Sequence, residues 1–178
     1  MSTMTTAPER GEAADYYFTY IDKVPQGDIR EILQAQLGDT LGFLESISED
    51  QSLHRYADDK WTIREVLSHV NDTERVFAFR ALWFARAFDS PLPSFDQDIA
   101  VRGSGADARS WSSHIEEFHA VRDATVGLFD NLPEEAWTRR GIASGNPFSV
   151  RALAFIAAGH VAHHVEILQS RYLESASK

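Results

Sequence analysis

The chain contains no cysteine. That absence excludes disulfides, thiolate metal ligands and a cysteine nucleophile, so any thiol chemistry must use a thiol carried by the substrate. No apolar run approaches the ~20 residues needed to cross a bilayer, which argues against a membrane protein. The opening MSTMTTAPERGEAADYY lacks the basic start and apolar centre of a secretory signal. Basic residues are also few, 17 against 27 acidic, for a formal charge of −10. A nucleic-acid binder needs clustered Lys and Arg, and the arginines here are scattered. These absences together point to a cytoplasmic protein acting on small molecules, with no nucleic-acid or membrane partner.

What is present is ordinary for a globular domain: 178 residues, 43% hydrophobic and 25% charged. Residues 1–14 read as a polar, disordered tail, and 15–178 as one domain, beginning at the aromatic cluster Tyr16, Tyr17, Phe18 and Tyr20. A first helix of about 20 residues follows the turn at Pro25–Gly27, with Asp28 as N-cap. Its apolar stripe is Ile29, Ile32, Leu33, Leu37, Leu41 and Leu44. A second helix is expected from near Thr62 to near Phe88. Thr62 with Glu65 three residues later forms a capping-box signature, preceded by Trp61 as a hydrophobic staple. Val66, His69, Thr73, Phe77 and Arg80 fall along one row of it. The segment Ser90–Ala106 breaks the pattern and is long for a connection between antiparallel helices, so a crossover between parallel ones is expected.

A third helix is expected over Ala108–Asn131, with Trp111, Ile115, Phe118, Arg122, Thr125 and Phe129 on one side. After a PEEAW turn, GIASGNPF reads as a loop, a small lid or a hairpin. The fourth helix runs from near Ser149 to about Leu173, with Leu153, Ala157, His160, His164, Ile167 and Arg171 in one stripe. No repeat or sustained strand alternation occurs. Four long amphipathic segments specify an all-α four-helix bundle.

The most informative feature is the pair His160 and His164 in GHVAHHVEIL. Positions i and i+4 lie one above the other, roughly 5–6 Å apart between Cβ atoms. Two such imidazoles can share a metal ion, and His69 on the second helix can supply a third nitrogen. Three neutral ligands leave coordination positions open, as a reactive site requires. The alternative is a set of hydrogen-bonded core histidines in a bundle without metal. The residue after His160 is Val161, so the zinc-protease HExxH motif is missing. Asp72 and Glu166 are the acidic residues placed to orient a ligand or act as a base, although a solvated helix face explains either. His163 is rotated by about 100° from His164, His114 and His119 face apart, and His54 reads as surface. An inward Arg80 calls for a carboxylate or carbonyl partner, or lies at the far end of a channel. The four tryptophans read as packing.

The blocks KWTIREVLSHVNDTERVFAFRALWFAR and RGIASGNPFSVRALAFIAAGHVAHHVEILQSRYL, within residues 28–173, resemble the DinB-like superfamily of metal-binding bundles. The resemblance rests on the tryptophan before the second helix, the histidine eight residues later and the closing HxxxH. It implies up-down-down-up topology, with a long connection between helices two and three. It also implies a three-histidine site at His69, His160 and His164 holding zinc or nickel, with water completing the shell. Relatives of this kind include S-transferases using bacillithiol or mycothiol and thiol-dependent isomerases, and many form homodimers. The expected activity is therefore metal-dependent transfer of a low-molecular-weight thiol. Hydrolysis through metal-bound water and a non-enzymatic metal- or small-ligand-binding stress-response module are the alternatives.

Overall fold

The computed structural model describes residues 5–173. The helices are α1 (Phe18–Ile21), α2 (Ile29–Glu45), α3 (Ile63–Ala85), α4 (Gln97–Ser104), α5 (Trp111–Asp130) and α6 (Val150–Ile167). A two-stranded antiparallel sheet, β1 (Arg140–Ala143) and β2 (Asn146–Ser149), precedes α6. The four long helices α2, α3, α5 and α6 pack on one another, α3 lying against both α5 and α6, and α2 against both as well. The expected all-α bundle is present, with a small hairpin added.

Local chemistry sets the helix ends. The Asp28 carboxylate accepts from the Arg30 amide at 3.0 Å and caps α2. Thr62 and Glu65 form the expected reciprocal box at the start of α3: Thr62 Oγ1 accepts from the Glu65 amide at 3.1 Å, and the Glu65 carboxylate accepts from the Thr62 amide at 2.8 Å. Ser110 and Ser149 cap α5 and α6 one-sidedly, their hydroxyls accepting from the Ser113 and Ala152 amides. Helix α3 ends at Ala85, three residues short of the expected end, and Ala87 follows in a left-handed conformation. Helix α6 loosens into wider π-type turns over Leu168–Leu173.

The segment Ser90–Ala106, expected to be a crossover, contains a helix of its own, α4, capped by Asp96. The glycine-bearing GIASGNPF forms the hairpin. Its two-residue turn, Ser144–Gly145, has positive φ at both positions (52° and 74°), the conformation that matches the twist of paired strands. Leu92 from the crossover pairs with this hairpin: its amide donates to Ile142 O, and its carbonyl accepts from the Ser144 amide. Residues 5–14 of the segment read as a tail carry a buried glutamate. Glu12 accepts from Ser149 Oγ at 2.7 Å and pairs with Arg151. Residues 1–4 lie outside the described residues.

Two apolar clusters fill the interior. One is centred on Phe77, Phe84, Phe148 and Phe155, the other on Leu44, Ile63, Trp111 and Phe118. Gly159 fixes the placement of α1: a Cβ there would lie 2.1 Å from the Tyr20 carbonyl oxygen. Only glycine lets α1 lie this closely on α6, and that approach sets the Tyr20 ring against His160.

A three-histidine candidate metal centre

His69 projects from the middle of α3, and His160 and His164 from consecutive turns of α6. His160 Nε2 lies 3.1 Å from His69 Nε2 and 3.1 Å from His164 Nε2. The ligand-type nitrogens of the three all fall within 4.8 Å of one another. His69 and His160 are buried, and His164 is partly exposed. Phe77 packs on His160, Trp61 on His69, and Tyr20 spans His160 and His163.

All three imidazoles are held neutral. Burial, reinforced by the neighbouring histidines, pushes His69 down to about 4, His164 to about 3 and His160 well below 6.5. Neutral rings are the form that binds metal. Hydrogen bonding alone does not satisfy the cluster. A neutral ring nitrogen has one proton or one lone pair, so His160 Nε2 cannot bond well to both neighbours at once. His164 Nδ1 is buried without a hydrogen-bond partner among the described residues. A cation at the point where the three nitrogens converge resolves the conflict. Ligands 2.0–2.1 Å from a tetrahedral ion stand about 3.3 Å apart, close to the 3.1 Å that His160 Nε2 keeps from each of its two neighbours. Thr73 Oγ1 lies 3.2 Å from His69 Nδ1, one turn along α3, and so can take that proton and leave Nε2 its lone pair. The residues present fit a divalent ion.

The same burial makes stability depend on pH. Between their folded values and 6.5, these histidines bind protons in the unfolded chain and not in the folded one. Stability therefore rises with pH across that window and is lost as pH falls from 6.5 towards 4, by up to ~1.4 kcal/mol per pH unit for each histidine. Urea unfolding of metal-free protein is expected to give clearly lower stability at pH 5 than at pH 7, by ~2 kcal/mol or more. Equal stability at the two values contradicts neutral, buried rings.

The two acidic residues singled out in the sequence lie apart from the cluster. Asp72 pairs with Arg75 at 3.3 Å, and burial raises its carboxyl. Glu166 is exposed and pairs with Lys23 at 2.5 Å, which holds its carboxyl low. His163 meets Tyr20 and His164 ring-to-ring. His114 is buried elsewhere, bonding through Nε2 to Ala106 O at 2.9 Å, while His119 faces Asp123 at the surface and His54 is exposed.

Two cavities reach the cluster. One, of about 120 Å³, is lined by His69 and His160 together with Tyr17, Tyr20, Arg80 and Ser144. The other, of about 240 Å³, is lined by His164 together with Tyr56, Trp61, Arg171 and Tyr172. The tyrosines escaped sequence reasoning as site residues. Their signal was the aromatic cluster following a polar segment, which reads equally well as packing.

No helix among the described residues is long and apolar enough to cross a membrane. No curated protein shows significant sequence similarity to the chain. Among solved structures it resembles YfiT from Bacillus subtilis, described as a probable metal-dependent hydrolase with an unusual four-helix bundle topology. The TM-score is 0.70 at 13% identity, over 97% of this chain and 98% of that one. The family model of the DinB superfamily matches residues 32–168, most of the chain and the whole three-histidine cluster. The chain therefore belongs to the DinB superfamily.

Proposed function

We propose that this protein is a divalent-metal-dependent transferase that joins a low-molecular-weight thiol to an electrophile, with His69, His160 and His164 as the metal ligands. The observation that carries this reading is the position of the three neutral imidazoles between two cavities, His69 and His160 facing one and His164 the other. Two cavities at one centre give two substrates separate approaches to it. When bound, zinc or nickel lowers the pKa of a coordinated thiol or water and so supplies a nucleophile at neutral pH.

The protein's own groups do the rest. Thr73 orients His69, the Tyr20 ring and Phe77 pack on His160 and help wall the cavity there, and Trp61 covers His69. Hydrolysis is the second reading, prompted by the description of YfiT. It ranks lower because Asp72 and Glu166, the acidic residues suited to activating water, are held in ion pairs and line neither cavity.

We also infer an up-down-down-up chain course. Contacts rise together along α3 and α5 (Asn71 with His114, Glu74 with Arg122), which supports parallel helices joined by the crossover. Contacts of α3 with α6, and of the residue leading into α3 with the π-type turns after α6, run in opposite senses (His69 with His160, Trp61 with Tyr172), as antiparallel neighbours require.

The test uses zinc-loaded protein with 1-chloro-2,4-dinitrobenzene and either bacillithiol or mycothiol. The thiol sulfur displaces chloride from the ring carbon, and the thiol proton passes to solvent. Turnover is expected only when thiol is present, and is expected to fall to background in His164→Ala. Ester cleavage at the same rate with and without thiol would favour hydrolysis instead.

A further inference from the structure

Arg80 is a buried cation without a carboxylate partner. Its side chain lies on α3 in the row of His69, eleven residues further on, and is 4% exposed. The Nη2 group donates to Ser144 Oγ at 2.8 Å and to Pro93 O at 3.3 Å, and the guanidinium also bonds to the Tyr17 hydroxyl. All three acceptors are neutral. No carboxylate among the described residues lies within ion-pairing distance of it, in a chain with 27 acidic residues. Burial works against its charge. A desolvated arginine is ordinarily matched by an anion, because an uncompensated buried charge is costly.

The matching anion is not supplied by the fold, but there is space for one. Arg80 lines the same 120 Å³ cavity as His69 and His160. No acidic side chain lines it; the polar groups are tyrosines, Thr73, Gln97 and Ser144. Eleven residues of helix place the two Cα positions about 16 Å apart, and one cavity is lined by both side chains. Val76, Phe77 and Phe95 supply apolar wall, and the tyrosines, Thr73 and Gln97 supply polar wall, so the cavity combines a cation, the imidazole cluster and a mixed lining.

The left-handed Ser144 gives this arrangement a structural cause. Its φ of 52° is needed for the hairpin turn, and the turn places its hydroxyl on Arg80. The Leu92–Ser144 backbone pairing then fixes the segment around Leu92, and with it the Pro93 carbonyl, beside the Ser144 hydroxyl on the same Nη2 group. Three separate segments hold the fork in position.

We propose that this cavity binds a small organic carboxylate, its carboxylate on the Arg80 fork and its other end at the histidine cluster. This rests on the metal-centre reading for what happens at the histidine end, but not for the grip on the anion. Arginine presents paired N–H donors that match a carboxylate, and such charge-assisted bonds are the strong ones. The mixed lining, Val76, Phe77 and Phe95 beside tyrosines, Thr73 and Gln97, suits the carbon skeleton of an organic acid better than a bare inorganic ion.

The test is calorimetric titration of full-length, chelator-treated protein with valerate, with pentanamide as the neutral counterpart and inorganic phosphate as a second anion. Wild-type protein is expected to bind one valerate and not pentanamide. Arg80→Gln is expected to weaken valerate by about tenfold or more, the loss of a charge-assisted contact. Circular dichroism checks the fold of the variant. If Arg80→Gln does not fold, Arg80→Lys keeps the charge but loses the fork, and is expected to bind several-fold more weakly. Equal valerate affinity in wild type and the folded variant overturns the proposal, as does no binding at all. Phosphate bound more tightly than valerate, in an Arg80-dependent way, overturns the carboxylate assignment. Failure of the metal reading shows separately, as protein that takes up no zinc, and leaves this titration unchanged.

Discussion

Replacing His160 by alanine is expected to abolish metal binding, with affinity falling by more than the 10–100-fold that loss of an outer hydrogen-bond partner costs. His160 is the middle member of the cluster, its Nε2 3.1 Å from each of the other two. Without it, His69 and His164 remain on different helices as a two-nitrogen site. Thr73→Val provides the graded control. It removes the hydroxyl behind His69 Nδ1 and leaves all three ligands, so affinity should fall by about tenfold. Chelator competition at pH 7 measures both. Metal affinity in His160→Ala within a few-fold of wild type contradicts the assignment of this residue.

The second large effect concerns stability. Glu74 and Arg122 form an ion pair in the bundle interior, at 2% and 0% side-chain exposure. Arg122 Nε and Nη2 each donate at 2.8 Å to the two Glu74 oxygens, and Nη1 donates at 2.6 Å to Gln36 Oε1. Gln36 in turn donates to Ala158 O at 2.9 Å. One network thereby links α2, α3, α5 and α6. Glu74→Ala leaves the guanidinium charged, buried and without its carboxylate, and should cost about 3–5 kcal/mol. Replacing both partners by methionine should cost far less, or stabilise, because two desolvation penalties vanish with the pair. Urea unfolding of the single and double variants checks this. A Glu74→Ala cost below about 1 kcal/mol, the usual worth of an exposed pair, contradicts the account.

The parts of this molecule legible in its sequence are those encoded within one or two helical turns. The Thr62–Glu65 box needs only a three-residue spacing, and the pairing of His160 with His164 only a four-residue one. His69 could be assigned because it interrupts an apolar row, which fixes its face. Contacts set by the third dimension were not legible. Glu74 lies one position from Thr73 on α3, and nothing local distinguishes it from a solvated glutamate; only packing against α5 brings it to Arg122. Arg80 could be read as inward, but whether it met a carboxylate or a carbonyl depended on the hairpin turn and the crossover, which are distant in sequence. Tyr20 reaches His160 because Gly159 admits the backbone of α1, a relation across nearly the whole chain. Asp72 and Glu166 each carry an ion pair, with Arg75 and with Lys23, that their spacing from the histidines did not convey.

The central claim is that the three histidines hold one divalent ion. The most direct measurement is elemental analysis of full-length protein purified without an affinity tag or added metal, followed by zinc titration of whatever is metal-free. The account predicts close to one equivalent of zinc or nickel per chain, either retained through purification or taken up at a single site. Protein that is metal-free as isolated and takes up no zinc on titration would contradict it.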